Sequence, residues 1–219
     1  LISKYLGDIG LLSSRTSESA YYFPLYLFTE HGERILNLED KFISFFTSKY
    51  PGCEIDPKVL MGYIYAILHL REYRTRYSES LKIEFPRIPF CEDHALYREI
   101  ASIGLKLIDL HLYKWDDVPE IDIPNKKRII SRYKFDKKRE IIRINENDII
   151  NGIPLEAWDF KIGNYPVLKK WLKSRKGRNF SIQEESKFRN ICKTLQQTLK
   201  TMHFLEDKVN LDDLLDEPT

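Results

Sequence analysis

The chain has 219 residues, 42% hydrophobic and 31% charged, with a net charge of only +2, the make-up of one large folded domain or two small ones rather than of a disordered chain. Cys53, Cys91 and Cys192 are odd in number, far apart and without a CxxC pair, so neither a disulfide framework nor a zinc cluster is indicated, and a cytoplasmic, reducing setting is expected. No apolar run reaches the ~20 residues that span a bilayer, and the opening lacks a charged stretch before an apolar core, so membrane insertion and secretion are not expected.

In chain order, the opening LISKYLGDIGLLSS starts at Leu1 and reads as the interior of a longer polypeptide. Tyr21 to Phe28, YYFPLYLF, predicts a buried strand, with Pro24 arguing for an edge or a bend. Asp56 followed by Pro57 predicts a helix start, and Leu60, Tyr63, Ile64, Ile67 and Leu68 form a stripe that continues towards Leu81. After Pro86 and Pro89, Asp93 caps a second helix carrying Leu96, Ile100, Ile103, Leu107 and Leu110 on one face. Between Lys126 and Asn145 the period shifts: Ile129, Ser131, Tyr133 and Phe135 alternate, then IIRI follows the polar stretch DKKRE, which predicts a β-hairpin. Ser181 with Glu184 makes a capping box for a last helix with Phe188, Ile191, Cys192, Leu195, Leu199 and Met202 as its stripe. Glu206 to Thr219 holds six acids against one lysine, an acidic tail expected to fray or to dock. The fold class is therefore α+β, predominantly helical with a small β-hairpin element. No Gly/Ser linker divides it, which gives one domain over residues 1–205 and a tail over 206–219.

The densest charge lies in Lys161 to Arg178, KIGNYPVLKKWLKSRKGR, with seven Lys or Arg and no acid. With Pro166 in the first turn of a helix, Leu168, Trp171 and Leu172 share one face and Lys169, Lys173 and Lys176 another. Gly177 ends the helix, leaving Arg175 and Arg178 at its exit, where a guanidinium fork can reach phosphate or the O6/N7 edge of guanine. Lys161, Asn164, Tyr165, Lys169, Lys170, Lys173, Arg175, Lys176 and Arg178 are the candidate contacts for an anion. Two readings stand for this segment: a phosphate-facing surface, or a solvated helix face above core anchors Trp158, Tyr165, Trp171 and Leu172. Arg71, Arg74 and Arg76 with Tyr73 and Tyr77, and the hairpin's Lys134, Lys137, Lys138 and Arg139, are further basic clusters with the same two readings.

Catalytic signatures are missing from the sequence. No Asn/Asp-Pro-Pro-aromatic loop, no Gly-rich loop opening a helix and no GxSxG elbow is present. Glu39-Asp40-Lys41 and Glu206-Asp207-Lys208 lack the strand context of a nuclease, and His31, His69, His94, His111 and His203 have no mutual spacing for a metal. No catalytic and no metal residue is therefore assigned.

Five stretches in order, YFPLYLF (Tyr22 to Phe28), GYIYAILHLREYRTRYSESL (Gly62 to Leu81), LKIEFPRIPF (Leu81 to Phe90), IGLKLIDLHL (Ile103 to Leu112) and WDFKIGNYPVLKKWLKSRKGRNFS (Trp158 to Ser181), resemble the C-terminal specificity domain of type ISP restriction-modification enzymes and related N6-adenine DNA methyltransferases. The resemblance implies a target recognition domain that reads double-stranded DNA, at the end of a polypeptide that also carries an endonuclease, a helicase-like ATPase and an adenine methyltransferase. S-adenosylmethionine, ATP and Mg²⁺ would belong to that parent, not to this part. The turn at Gly163-Asn164-Tyr165-Pro166 departs from the family's Gly-Gly-Tyr form. The expected function is DNA-sequence recognition, with lysines on phosphates and a few Arg, Asn and Gln on base edges; the alternatives are a docking module for the parent's methyltransferase domain, and a self-contained nuclease.

Overall fold

In the computed structural model, residues 23–112, 128–163 and 165–214 are described. Tyr21, Tyr22, Asn164, the start of the predicted hairpin at Lys126 and the end of the acidic tail lie outside them. The chain divides into two compact units, residues 1–114 with 201–219, and residues 115–200. Among the described residues, the first unit thus joins residues 23–112 with residues 201–214.

The first unit opens with a short antiparallel hairpin, β1 (Tyr26–Phe28) and β2 (Arg34–Leu36), so the expected strand is shorter than YYFPLYLF and begins after Pro24. Helices α1 (Asp40–Lys49), α2 (Pro57–His69), α3 (Arg71–Arg76) and α4 (His94–His111) follow. Both predicted helix starts are present: Asp56 accepts from the N–H groups of Lys58 and Val59 at 2.8 and 3.3 Å, and Asp93 from that of Ala95 at 2.9 Å. Such caps satisfy donors that the helix itself leaves open. The first long helix does not run on to Leu81, however. At Leu70 the backbone turns extended (φ −60°, ψ 124°), and the turn buries Leu70 and Tyr73 together, each 1% exposed.

The α2–α4 crossing is set by two glycines. A Cβ on Gly104 would lie 1.7 Å from the carbonyl oxygen of Gly62, so only hydrogen fits where the two backbones meet. This approach brings Tyr63 and Tyr97 within 4.9 Å, and both join Phe46, Tyr50 and Phe90 in an aromatic core. The Tyr97 hydroxyl is buried there without a hydrogen-bond partner among the described residues, but three other tyrosines of this core use theirs. Tyr63 donates to the Pro89 carbonyl at 2.8 Å, Tyr50 to that of Cys91 at 2.6 Å and Tyr73 to that of Arg87 at 2.7 Å, so three buried tyrosines pin the extended segment between α3 and α4. From the other end of the chain, Leu205, Val209, Leu211 and Leu214 enter the same core, with Arg76 paired to Asp212 at 2.7 Å. The described part of the acidic segment, to Leu214, docks on this unit.

In the second unit, β3 (Lys134–Asp136), β4 (Ile141–Arg143) and β5 (Ile149–Ile150) form an antiparallel sheet in that order. The hairpin is the expected one; β5, with two residues, is too short to leave a period in the sequence. There follow α5 (Leu155–Asp159), the hairpin β6 (Lys161–Ile162) and β7 (Tyr165–Pro166), α6 (Val167–Lys173) and α7 (Ile182–Lys208). The Ser181 half of the capping box is formed, the Glu184 N–H donating to Ser181 Oγ at 3.2 Å, while the Glu184 carboxylate accepts from Arg175 instead. Residues of α7 up to Lys200 belong to this unit and the remainder to the first. Ile142, Ile150, Trp158, Leu168, Leu172 and Phe188 fill the core beneath the sheet and helices.

Gly104→Ala is expected to cost about 3 kcal/mol or more in urea unfolding, because the added methyl meets backbone that cannot repack; an unchanged midpoint would contradict the crossing. A second expectation concerns pH. His111, whose Nδ1 lies 2.7 Å from the Tyr65 hydroxyl, has its pKa pushed down to about 4 by burial and then by the neighbouring His69. A neutral-favouring fold contributes full stability above the unfolded value of about 6.5 and loses it as pH falls towards 4. The stability lost between pH 7 and pH 5 should therefore be smaller in His111→Phe than in the wild type.

Candidate nucleic-acid interface

The second unit is held together from within by a buried ion network. Glu185, 2% exposed on the first turn of α7, accepts from Arg128 on one oxygen and from Arg189 Nη2 and Nε at 2.8 and 3.0 Å on the other. Arg128 also donates to the Ile149 carbonyl at 3.3 Å, reaches Asp148 at 3.6 Å and lies over the Phe180 ring at 5.3 Å. Its own carbonyl receives the Phe180 N–H at 2.6 Å, while Ile130 exchanges bonds with Gly177 and Arg178 at 2.8 and 3.2 Å. The chain entering the sheet and the chain leaving α6 are thereby tied side by side.

On this base the basic segment takes a form close to, but not the same as, the expected helix. Pro166 is not in the first helical turn; it ends β7 and caps α6 with extended backbone (φ −76°, ψ 101°). Leu168 and Leu172 are fully buried, as the periodicity required. Trp171 is half-buried, its ring 5.0 Å from that of Phe188 and 6.2 Å from that of Phe180. The helix stops at Lys173, so Lys176 stands in the following turn rather than on the helical face, and Gly177 has the left-handed φ of 81° that suits a residue without Cβ.

The candidate contacts separate by what already occupies them. Lys161, Tyr165, Lys170, Lys173, Lys176 and Arg178 are exposed. Lys169 pairs with Asp159 at 2.8 Å and sits over the Trp158 ring at 5.2 Å. Arg175 is engaged inward: its Nε bonds Glu184, its Nη1 the Ser174 hydroxyl at 3.0 Å, and its guanidinium covers Trp171 at 3.7 Å. It joins the exit of α6 to the start of α7. Asn164 lies outside the described residues.

Sequence reasoning missed Asp159, the point where three basic elements converge. Its carboxyl is held below the usual carboxylate range first by the Lys169 hydrogen bond, then by the charges of Lys169, Lys137 and Lys161. Those lysines come from α6, the β3–β4 turn and β6. The turn is shaped by Asp136, whose Oδ1 accepts from the N–H groups of Lys138 and Arg139 at 3.0 and 3.2 Å, leaving Lys137, Lys138 and Arg139 exposed. Beneath it Phe135 stacks on Trp158 at 5.0 Å. Along the strands, Lys134 and Arg143 are register partners and both exposed. Like charges directly opposite each other destabilise a sheet unless an anion screens them. Only the β3–β4 register reveals this pair.

The first-unit cluster is more self-contained: Arg76 bridges Glu72 and Asp212, and Arg71 lies 3.5 Å from Glu206. Among the described residues no three His, Cys, Asp or Glu side chains gather as a metal site, and no helix is long and apolar enough to cross a membrane.

Residues 1–206 match the model of the Type ISP C-terminal specificity domain. Among solved structures, the chain is similar to DrdV in its cryo-EM complex with DNA, at 23% identity and a TM-score of 0.61 over 83% of this chain and 21% of that one. It is similar to a nuclease-deletion mutant of the Type ISP restriction-modification enzyme LlaGI, in complex with a DNA substrate mimic, at 25% identity and 0.50 over 68% and 14%. The ATP-dependent Type ISP enzyme LlaBIII bound to DNA matches at 21% identity and 0.56 over 88% and 13%. The likeness to DrdV and LlaBIII is one of fold, and the chain spans about a fifth or less of each of these proteins. No curated protein matches it.

Glu185→Ala strands two arginines, one of them buried, and is expected to destabilise the second unit by about 3 to 5 kcal/mol. Replacing Arg128 and Glu185 together by leucines should cost clearly less, as read from thermal melts of the two variants. Equal losses would mean that the network acts by packing alone.

Proposed function

This chain belongs to the family of Type ISP C-terminal specificity domains, and within that family we propose that it recognises the DNA target, its second unit presenting the basic face to the duplex. The observation that carries the reading is the convergence of lysines from α6, β6 and the β3–β4 turn around Asp159. Lys134, Lys137, Lys138, Arg139, Arg143, Lys161, Lys170, Lys173 and Lys176 are assigned to phosphates, where they fix register and carry no sequence information. Lys169 contributes through its pair with Asp159, and Arg175 positions the exit of α6. Arg178, exposed beyond Gly177, is assigned to a base edge, and so is Asn164. The similar structures of DrdV, LlaGI and LlaBIII are complexes with DNA or its mimic, which supports the same reading.

The parent polypeptide, in this proposal, is a cytoplasmic restriction-modification enzyme whose other parts supply the endonuclease, the ATPase and the adenine methyltransferase. S-adenosylmethionine, ATP and Mg²⁺ are used there. A second reading rests on a different observation: Phe28, Ile83 and Phe85 of the first unit are 71, 83 and 61% exposed. It makes the chain chiefly a docking module for the methyltransferase domain.

Fluorescence titrations over a salt series separate the two. Reversing Lys170, Lys173 and Lys176 to Glu should weaken binding to all duplexes alike and flatten the slope of log affinity against log salt by about one unit for each phosphate no longer neutralised. Arg178→Ala should instead relax the preference for one base pair, a difference of about 1 to 3 kcal/mol. A triple variant with wild-type affinity and slope would favour the docking module.

A further inference from the structure

Ile162 and Tyr165 face each other across the β6–β7 hairpin and are 53 and 50% exposed. Directly paired residues project from the same side of a two-stranded ribbon, so the hairpin carries an apolar knob. A cation stands beside it: Lys170 Nζ lies 5.9 Å from the Tyr165 ring, while Lys161, paired with Pro166, belongs by strand alternation to the other side of the ribbon. Gly163, next to Ile162, has φ 55° and nothing within 4 Å of where its Cβ would be. Its base is fixed, since the Val167 N–H bonds the Phe160 carbonyl at 3.3 Å and the chain continues into α6 with Leu168 fully buried. A projecting apolar pair on a fixed base, with Lys170 beside it and the other exposed lysines of the segment near in sequence, has the chemistry to meet the apolar faces of bases while the cations hold the phosphates.

We propose that Ile162 and Tyr165 form a wedge that bears on one base step of bound DNA and partly unstacks it. The inference rests on the DNA-recognition reading and adds a mode of contact to it. Unstacking opposes binding to an intact duplex and is already achieved in a duplex with mismatched bases at its centre. A wedge therefore prefers the weakened step, whereas phosphate contacts alone do not distinguish the two.

The test titrates the full chain with two duplexes of the same length, one fully paired and one carrying a central two-base mismatch, over a salt series. The wild type is expected to bind the mismatched duplex about tenfold more tightly. The Ile162→Ala/Tyr165→Ala double variant should lose that preference and keep the wild-type salt slope, and Tyr165→Phe should retain the preference. Lys173→Glu should do the converse of the double variant, flattening the slope and keeping the preference. Equal binding of both duplexes by the wild type, or a preference that survives the double substitution, overturns the wedge while salt-dependent binding leaves the recognition reading standing. Wild-type binding that is insensitive to salt overturns both.

Discussion

A carboxylate with almost no access to water holds the second unit in register. Glu185 is buried at the beginning of α7, and an isolated ionised carboxylate there would be strongly disfavoured. It is tolerated because Arg128 and Arg189 close on it from two parts of the chain, and Arg128 in turn reaches Asp148 and the Ile149 carbonyl. The order of events in the sequence follows from this. The segment before the sheet, the end of the sheet and the start of the last helix must all meet at one charged point, and the backbone bonds of Ile130 with Gly177 and Arg178 form alongside it. The basic segment between them is left to project from a fixed base.

The first unit solves a different problem, that of keeping an extended segment in place without a sheet. Three tyrosines do so through their hydroxyls, each donating to a backbone carbonyl between Arg87 and Cys91. Burial raises the pKa of Tyr63 and Tyr50 well above the normal phenol value, so both remain donors across the working range of pH. The rings fill the core, and their polar ends replace the partners that loop carbonyls would otherwise lack.

The helices were legible where local chemistry sets them. Asp56, Asp93 and Ser181 announce their caps, and the stripes at Leu60 and Ile100 their buried faces; Glu184, expected to close a box with Ser181, turns to Arg175 instead. The break at Leu70 was not legible, because it answers to the burial of Leu70 and Tyr73 against residues distant in sequence. Nor was β5, two residues long, nor the paired roles of Arg128 and Glu185, 57 positions apart. The same division runs through the candidate interface. Charge density pointed to Lys161 through Arg178, but the inward turn of Arg175 towards Glu184 and Trp171 depends on where α7 begins. Asp159, a single acid just outside the basic run, carries no sequence signal of its own; its meaning comes from the three elements that surround it.

The turn at Gly177 and Arg178 is tied to Ile130 through its backbone, while the Lys176 and Arg178 side chains stand exposed. At Gly163 and Gly177 the space where a side chain would grow is open, while Leu168, Leu172 and Phe180 behind them are sealed. Substitutions at Lys137, Lys138, Lys176 or Arg178 need not disturb the core, since all four side chains are exposed. The backbone itself is less free, since both glycines hold positive φ and side chains there would be strained. Exchanging the exposed side chains on these turns leaves the backbone that carries them, and the buried Glu185 junction behind it, as they are.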